Sequence, residues 1–170
     1  SGQAQAGERI WDADEVPHNA APFIPIATRL KDQKGVVIDT VRSTEPVMVE
    51  MEYRLEAPLT GLRVGMYLSS MRGEYIITSF DTDDGKQYEK FGARDSGHYI
   101  SRCILPADLF NEGRYSLGVN ASSFGVRRYF QDEQALAFNV DISGAPGTQW
   151  AEPRRGPIRP RLDWNIKKVE

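Results

Sequence analysis

Several groups of side chains in this 170-residue chain have types and spacings that could do chemistry. Glu50 and Glu52 lie two residues apart in an alternating segment. On one strand face that spacing puts their carboxyls about 6–7 Å apart. Glycoside hydrolysis needs two carboxylates at such a distance on either side of a sugar. Two glutamates opposite an apolar face are, however, also the ordinary pattern of a solvated strand. Asp81, Asp83 and Asp84 precede Gly85 and suggest a calcium loop. The spacing is not that of an EF-hand, and a solvated hairpin turn accounts for the same residues. Cys103 is the one cysteine, and only His18 and His98 could serve it as an imidazole base. A lone thiol in a strand reads as a small buried hydrophobe. The group that stands out is polar and aromatic: Tyr67, Tyr75 (or its neighbour Glu74), His98, Arg102, Arg114 and Asn120, all on the open faces of predicted strands. Aromatic rings accept the C–H-rich faces of sugars, and planar amides and guanidinium groups hydrogen-bond hydroxyls in pairs. These six are the candidate carbohydrate ligands.

Other chemistries lack their motifs. Gly85-Lys86 is followed by Gln87 and has no upstream glycine, so there is no Walker A loop. GxSxG and HExxH are absent, and two distant histidines make a zinc site improbable. Neither a cofactor nor a metal is expected. With 21 basic and 24 acidic residues the net charge is −3, which provides no field to attract nucleic acid. A single cysteine precludes an intrachain disulfide and suits a reducing compartment. No apolar run approaches the ~20 residues of a membrane span. The opening Ser1-Gly2 resembles a tag-cleavage scar. Asn120-Ala121-Ser122 matches a short glycosylation sequon, with nothing else pointing to secretion.

The elements that must position these residues are strands. Val47, Val49, Met51, Tyr53 and Leu55 alternate with Met48, Glu50, Glu52 and Arg54. Leu62, Val64, Met66 and Leu68 alternate with Arg63, Gly65, Tyr67 and Ser69. Strict period-2 alternation marks strands with one buried face. Further strands are expected at 23–30, 36–41, 74–80, 87–91, 98–105, 114–121, 126–130 and 136–142. Asp84-Gly85 reads as a hairpin turn. Pro106 to Gly113 reads as one helical turn. Short strands with turn signals every 8–12 residues indicate an all-β, two-sheet antiparallel sandwich of the jelly-roll or immunoglobulin-like kind.

The ends differ from the middle. Residues 1–21 read as an N-terminal linker whose Trp11 docks on the domain, and 22–142 as the sandwich. Residues 143–160, rich in Gly, Pro and Arg, read as a second linker. Residues 161–170 resume alternation as a strand that could pair with a partner's sheet and so make a dimer. The basic residues Arg154, Arg155, Arg159, Arg161, Lys167 and Lys168 could touch lipid headgroups or a partner ATPase, and a solvated linker accounts for them equally.

Several blocks, in order, resemble the C-terminal domains of Wzt-type polysaccharide ABC-transporter ATPases. Pro46 to Tyr53 resembles that family's "pv.ie..y" strand, and Leu62 to Gly73 the strand and glycine turn that follow. Gly97 to Leu109 and Glu112 to Leu117 resemble its "G.y…ip…L..G.Y.v" block, and Arg155 to Trp164 its "G.irp.l.W" ending. The resemblance spans roughly residues 9 to 169. It implies a jelly-roll-like, non-catalytic carbohydrate-binding module that follows an ABC ATPase domain at the cytoplasmic face of the inner membrane. The module would recognise an O-antigen-like export polysaccharide, often at a modified non-reducing end. Implied partners are the glycan, a second copy through the C-terminal strand, the ATPase domain and the membrane permease. A module of another class, which couples ATPase dimers without touching glycan, is the alternative. Ligand residues in the family vary with the glycan, so the six candidates rest on strand faces alone.

Overall fold

A computed structural model describes residues 5–150 and 152–169 of the chain. The Ser1-Gly2 opening lies outside the described residues. The strands are β1 (Gln5–Ala6), β2 (Glu8–Ile10), β3 (Phe23–Lys31), β4 (Thr40–Arg42), β5 (Val47–Leu55), β6 (Leu59–Thr60), β7 (Leu62–Ser70), β8 (Tyr75–Phe80), β9 (Ala93–Arg94), β10 (Gly97–Leu105), β11 (Gly113–Ser123) and β12 (Arg127–Asp141). One short helix, α1 (Gly85–Phe91), lies between β8 and β9.

Two sheets face each other. The larger runs β1-β12-β11-β7-β8, with β4 also on β12, and the smaller runs β10-β5-β3-β2. β6 and β9 form a separate two-stranded ribbon. Neighbours are antiparallel except β1 and β4, which follow one another in parallel along the same edge of β12. The alternation that marks β5 and β7 is what the fold uses. Val47, Val49, Met51, Tyr53 and Leu55 on β5 meet Leu62, Val64, Met66 and Leu68 on β7, all of them buried. One cluster around Leu30, Leu68, Leu117, Leu136 and Phe138 fills one end of the sandwich, and another around Trp11, Phe23, Tyr53 and Phe130 fills the other.

The N-terminal stretch is integral to the sandwich. β1 joins the large sheet and β2 the small one, and Trp11 is buried edge-on to Phe130. Four other local expectations are corrected. Gln87–Phe91 is helical because the Asp84 carboxylate accepts from Lys86 N and Gln87 N, so Asp84-Gly85 starts a helix and does not turn a hairpin. Pro106 to Gly113 holds no helix: Asp108 adopts φ 61°, and the segment is tied down by Asp108 N to Ser43 O and by a bridge between Phe110 and Ile158. Val36 and Val37 are exposed, Val37 makes only an isolated bridge to Lys31, and the strand itself starts at Thr40. The two strands expected over 126–142 are one continuous strand, Arg127–Asp141, with register shifts against β11 in place of a break. Residues 161–169 are exposed coil and pair with none of the described strands.

Candidate functional site

The six candidate residues separate onto two faces. His98 and Arg102 lie on β10, on the outer face of the small sheet. There the alternating residues of β5 and β3 build a lattice of ion pairs. Glu52 accepts from Arg29 at 2.9 Å and bonds His98 Nε2 at 2.6 Å. Arg29 also bonds Glu8 at 2.9 Å. Glu50 takes Lys31 at 2.9 Å and Arg102 at 3.0 Å. The Arg29 hydrogen bond holds the Glu52 carboxyl below its ordinary value. Burial pushes Glu50 the other way, but the Lys31 and Arg102 bonds together outweigh it. Both glutamates are thus held ionised, whereas a glycosidase's general acid must be held protonated. The same bonds occupy His98 and Arg102, the two candidates on this sheet.

The aspartates before Gly85 are likewise engaged. Asp81 bonds Arg94, Val64 N and Ser101 Oγ, and Asp83 accepts from Phe80 N and Ser79 Oγ. The solvated-turn reading is corrected here, since Asp81 belongs to a network that is largely buried. Arg94, itself buried, also donates to Tyr53 Oη, Leu62 O and Phe91 O. Among the described residues no group of three or more His, Cys, Asp or Glu could hold a metal ion. Cys103 lies inward on β10, where burial pushes its thiol up and keeps it protonated.

Tyr67, Tyr75, Arg114 and Asn120 share the outer face of the large sheet. Tyr67 on β7 lies opposite Gly118 on β11 and Thr78 on β8, and Gly65 lies opposite Asn120. Tyr67 and Tyr75 meet edge to face with centroids 5.7 Å apart. Loss of solvent and the neighbouring Glu133 carboxylate raise the Tyr75 hydroxyl, which stays protonated as a donor. Gly65 and Gly118 are required on this face by close approach. A methyl on Gly65 would run into the Phe80 ring, and one on Gly118 into the Glu133 backbone. Both glycines keep the floor low between the flanking rings.

Asn120 is the sharpest feature. Its residue exposure is 6 %, and it lines an open cleft of about 420 Å³ with Arg63, Tyr67, Phe124, Arg128 and Gln131. Its Nδ2 donates to Gln131 Oε1 at 3.3 Å, while its Oδ1 has no partner among the described residues. A buried amide oxygen left unbonded is costly, and buried polar groups are nearly always paired. Gln131 is fixed in turn by Arg128 and Glu133, each at 2.8 Å. Arg63 lies 4.1 Å from the Phe80 centroid and 5.0 Å from that of Phe124, and donates to Ser122 Oγ at 3.3 Å. The result is a shallow trough with aromatic edges and Asn120 buried in its floor. Arg114 lies further along β11, held to Asn139 at 3.3 Å.

Arg63, Phe124 and Gln131 were not among the six. Arg63 could have been found, because it alternates with Leu62 and Val64 on the Tyr67 side. Phe124 sits in the tight β11–β12 turn at 80 % exposure, and an aromatic next to a turn glycine is a signal visible in sequence. Gln131 could not, since its register depends on the shifts in the β11–β12 ladder.

The sequence profile of the Wzt C-terminal domain family matches residues 26–150. Among solved structures, the chain is similar to one described as the crystal structure of the C-terminal domain of wzt. The match has a TM-score of 0.69 and 13 % identity, covering 86 % of this chain and 84 % of that one. At that identity the likeness speaks to the sandwich fold. No curated protein sequence matches the chain. The profile covers well over half of the 170 residues, strands β4 to β12 among them, so the chain belongs to the Wzt C-terminal domain family.

Proposed function

We propose that this domain binds a glycan on the outer face of its large sheet and has no chemistry of its own. Membership of the family ties the chain to a polysaccharide transporter of the ABC class. The observation that carries glycan binding is the unbonded Asn120 oxygen in a cleft edged by Tyr67, Phe124 and Arg63. A sugar hydroxyl that reached Oδ1 after a small shift of the side chains over it would satisfy it, while the rings cover the sugar's C–H face. The small sheet competes poorly for this role, since its charged side chains already bond one another. The site is shallow and wet, so single-site affinity falls in the micromolar to millimolar range, on the order of −4 to −8 kcal/mol.

On this reading the domain selects an O-antigen-like polymer, by its non-reducing end, at the cytoplasmic face of the inner membrane, and hands it to the ATPase and permease. Titration with the source organism's polysaccharide, intact and with its terminus removed, tests this. Binding to the intact polymer alone supports it. Equal binding overturns end recognition, and no binding to either overturns the glycan reading.

A second reading is favoured by the C-terminal segment. Leu162, Trp164, Ile166 and Val169 are all exposed, Trp164 at 86 % and Ile166 at 96 %. Alternating apolar residues without a surface to cover are suited to strand addition on a second copy, which would make a dimer presenting two sites. Sedimentation of the full chain and of a chain ending at Pro160 tests it. A monomer in both cases overturns it.

A further inference from the structure

A second cleft, of about 700 Å³, opens at the end of the large sheet away from Asn120. Arg72 from the β7–β8 turn, Arg114 from the start of β11, and Arg154 and Arg155 from the C-terminal segment all line it. Glu74 and Glu112 line it too. Among the described residues, no carboxylate lies within ion-pair distance of any of the four arginines. The Arg154 guanidinium lies against Gly147, and Arg72, Arg114 and Arg155 still outnumber the two carboxylates, leaving a local excess of positive charge in a chain whose net charge is −3.

The arrangement is held in place. The buried Asn111 side chain donates from Nδ2 to both Arg154 O and Gly156 O, each at 2.8 Å. Tyr115 Oη donates to Pro157 O at 3.0 Å, and Asn111 N donates to the same oxygen at 3.0 Å. Arg159 N donates to Leu109 O at 2.9 Å. These bonds fix the backbone arc that carries Arg154 and Arg155 beside Arg114. A stretch that reads from sequence as a solvated linker is therefore folded back onto the domain.

Arg114 and Asn120 point outward from the same face of β11, six residues and hence roughly 20 Å apart. Tyr67 and Tyr75 stand between the two ends. We propose that the arginine cleft is an anion subsite of the glycan-binding face, taking a carboxylate or phosphate group on the same polymer that contacts Asn120. Guanidinium groups bind both anions through paired hydrogen bonds. The inference rests on the glycan reading for the identity of the polymer. The anion site itself is testable without any glycan.

The test follows the arginine Nε–Hε and backbone amide NMR signals of the full chain during titration. The probes are inorganic phosphate, an oligoglucuronate, a neutral gluco-oligosaccharide and phosphatidylglycerol vesicles. Saturable shifts with phosphate at Gly113, Gly156 and the four arginines are expected. They should vanish in an R114A/R155A variant, whose changes are at exposed positions. The apparent affinity should weaken at least about threefold as ionic strength rises from ~0.03 to ~0.3 M. Oligoglucuronate should bind more tightly than phosphate and also shift Asn120, while the neutral sugar leaves the arginines unshifted.

Non-saturating shifts with phosphate, or equal shifts at Arg42 and Lys86, overturn the anion site. Saturation by the vesicles but not by oligoglucuronate overturns its assignment to the glycan. Polysaccharide shifts at Asn120 with no phosphate response would overturn this inference and leave the glycan reading standing. A phosphate response with no polysaccharide response at Asn120 would do the reverse to the glycan reading, and would overturn the shared-polymer part here.

Discussion

Replacing Asn120 by alanine should weaken glycan binding without weakening the protein. Three contributions decide the sign. The mutation removes a buried carbonyl oxygen that has no partner, relieving a cost of about 1–3 kcal/mol. It also removes the hydrogen bond to Gln131, which is long at 3.3 Å and contributes about 0.5–1 kcal/mol. It creates no new orphan, because Gln131 Oε1 still accepts from Arg128 at 2.8 Å. Nor does it create an enclosed void, because the amide lines a cleft open to solvent. The balance is a gain of roughly 0–2.5 kcal/mol, where an average point substitution loses about 1 kcal/mol. For a domain of this size that is a melting temperature raised by roughly 0–10 °C. Binding should fall about tenfold, the effect of losing about 1.4 kcal/mol of hydrogen bonding to a sugar. Calorimetric unfolding and polysaccharide titration on the same preparations measure both. A loss of stability beyond about 1.5 kcal/mol would mean that the amide is satisfied within the folded protein, and the argument for a vacant acceptor would collapse. Unchanged binding would remove Asn120 from the site.

Three further outcomes are expected. Arg94→Met breaks a buried ion pair and strands Leu62 O, so it should destabilise the fold by about 3–5 kcal/mol in urea unfolding; a loss under 1 kcal/mol refutes that role. Asp84→Ala removes the cap of α1 at a cost of about 1 kcal/mol, and hydrogen exchange at 86–91 should speed up while exchange in β5 does not. Glu50 and Glu52 have folded pKa values below the ordinary 4.5, so their ion pairs stabilise the protein fully above that value. That contribution is lost as pH falls below 4.5 and through the lowered values, and E50Q/E52Q should show a flatter acid limb in urea midpoint against pH; parallel limbs would refute the linkage.

Most of the sandwich is legible because its signal is local. β5 starts and ends where alternation places it, and β7 runs one residue longer, since period-2 burial is written directly into the residues. The misreadings occur where a single side chain decides. Asp84 bonds two amides, and a segment that reads as a strand becomes α1. Asp108 adopts a left-handed conformation, and a helical turn becomes a bend. The site is less legible for a related reason. Alternation tells outer from inner, but cannot tell the outer face of one sheet from that of the other. Tyr67 and His98 therefore looked equivalent, although they stand on opposite sides of the molecule.

What separates the two faces is whether their polar groups satisfy each other. On the small sheet, Glu8, Arg29, Glu52 and His98 form one chain of bonds, and Lys31, Glu50 and Arg102 another. A ligand there would have to break ion pairs before making its own. On the large sheet the central residues are small or neutral, and the one buried amide among them has a vacant acceptor. Glu133 on this face bonds Gln131, and Glu74 and Glu112 lie at its far end, beside the arginines. Positive charge gathers at one end, where Arg72, Arg114, Arg154 and Arg155 have no carboxylate partner among the described residues. A buried acceptor without a partner is costly to the folded protein alone, and the exposed arginines about 20 Å along the same strand add charge that a ligand can use. That asymmetry, more than any single residue, is why the large sheet is proposed as the binding face.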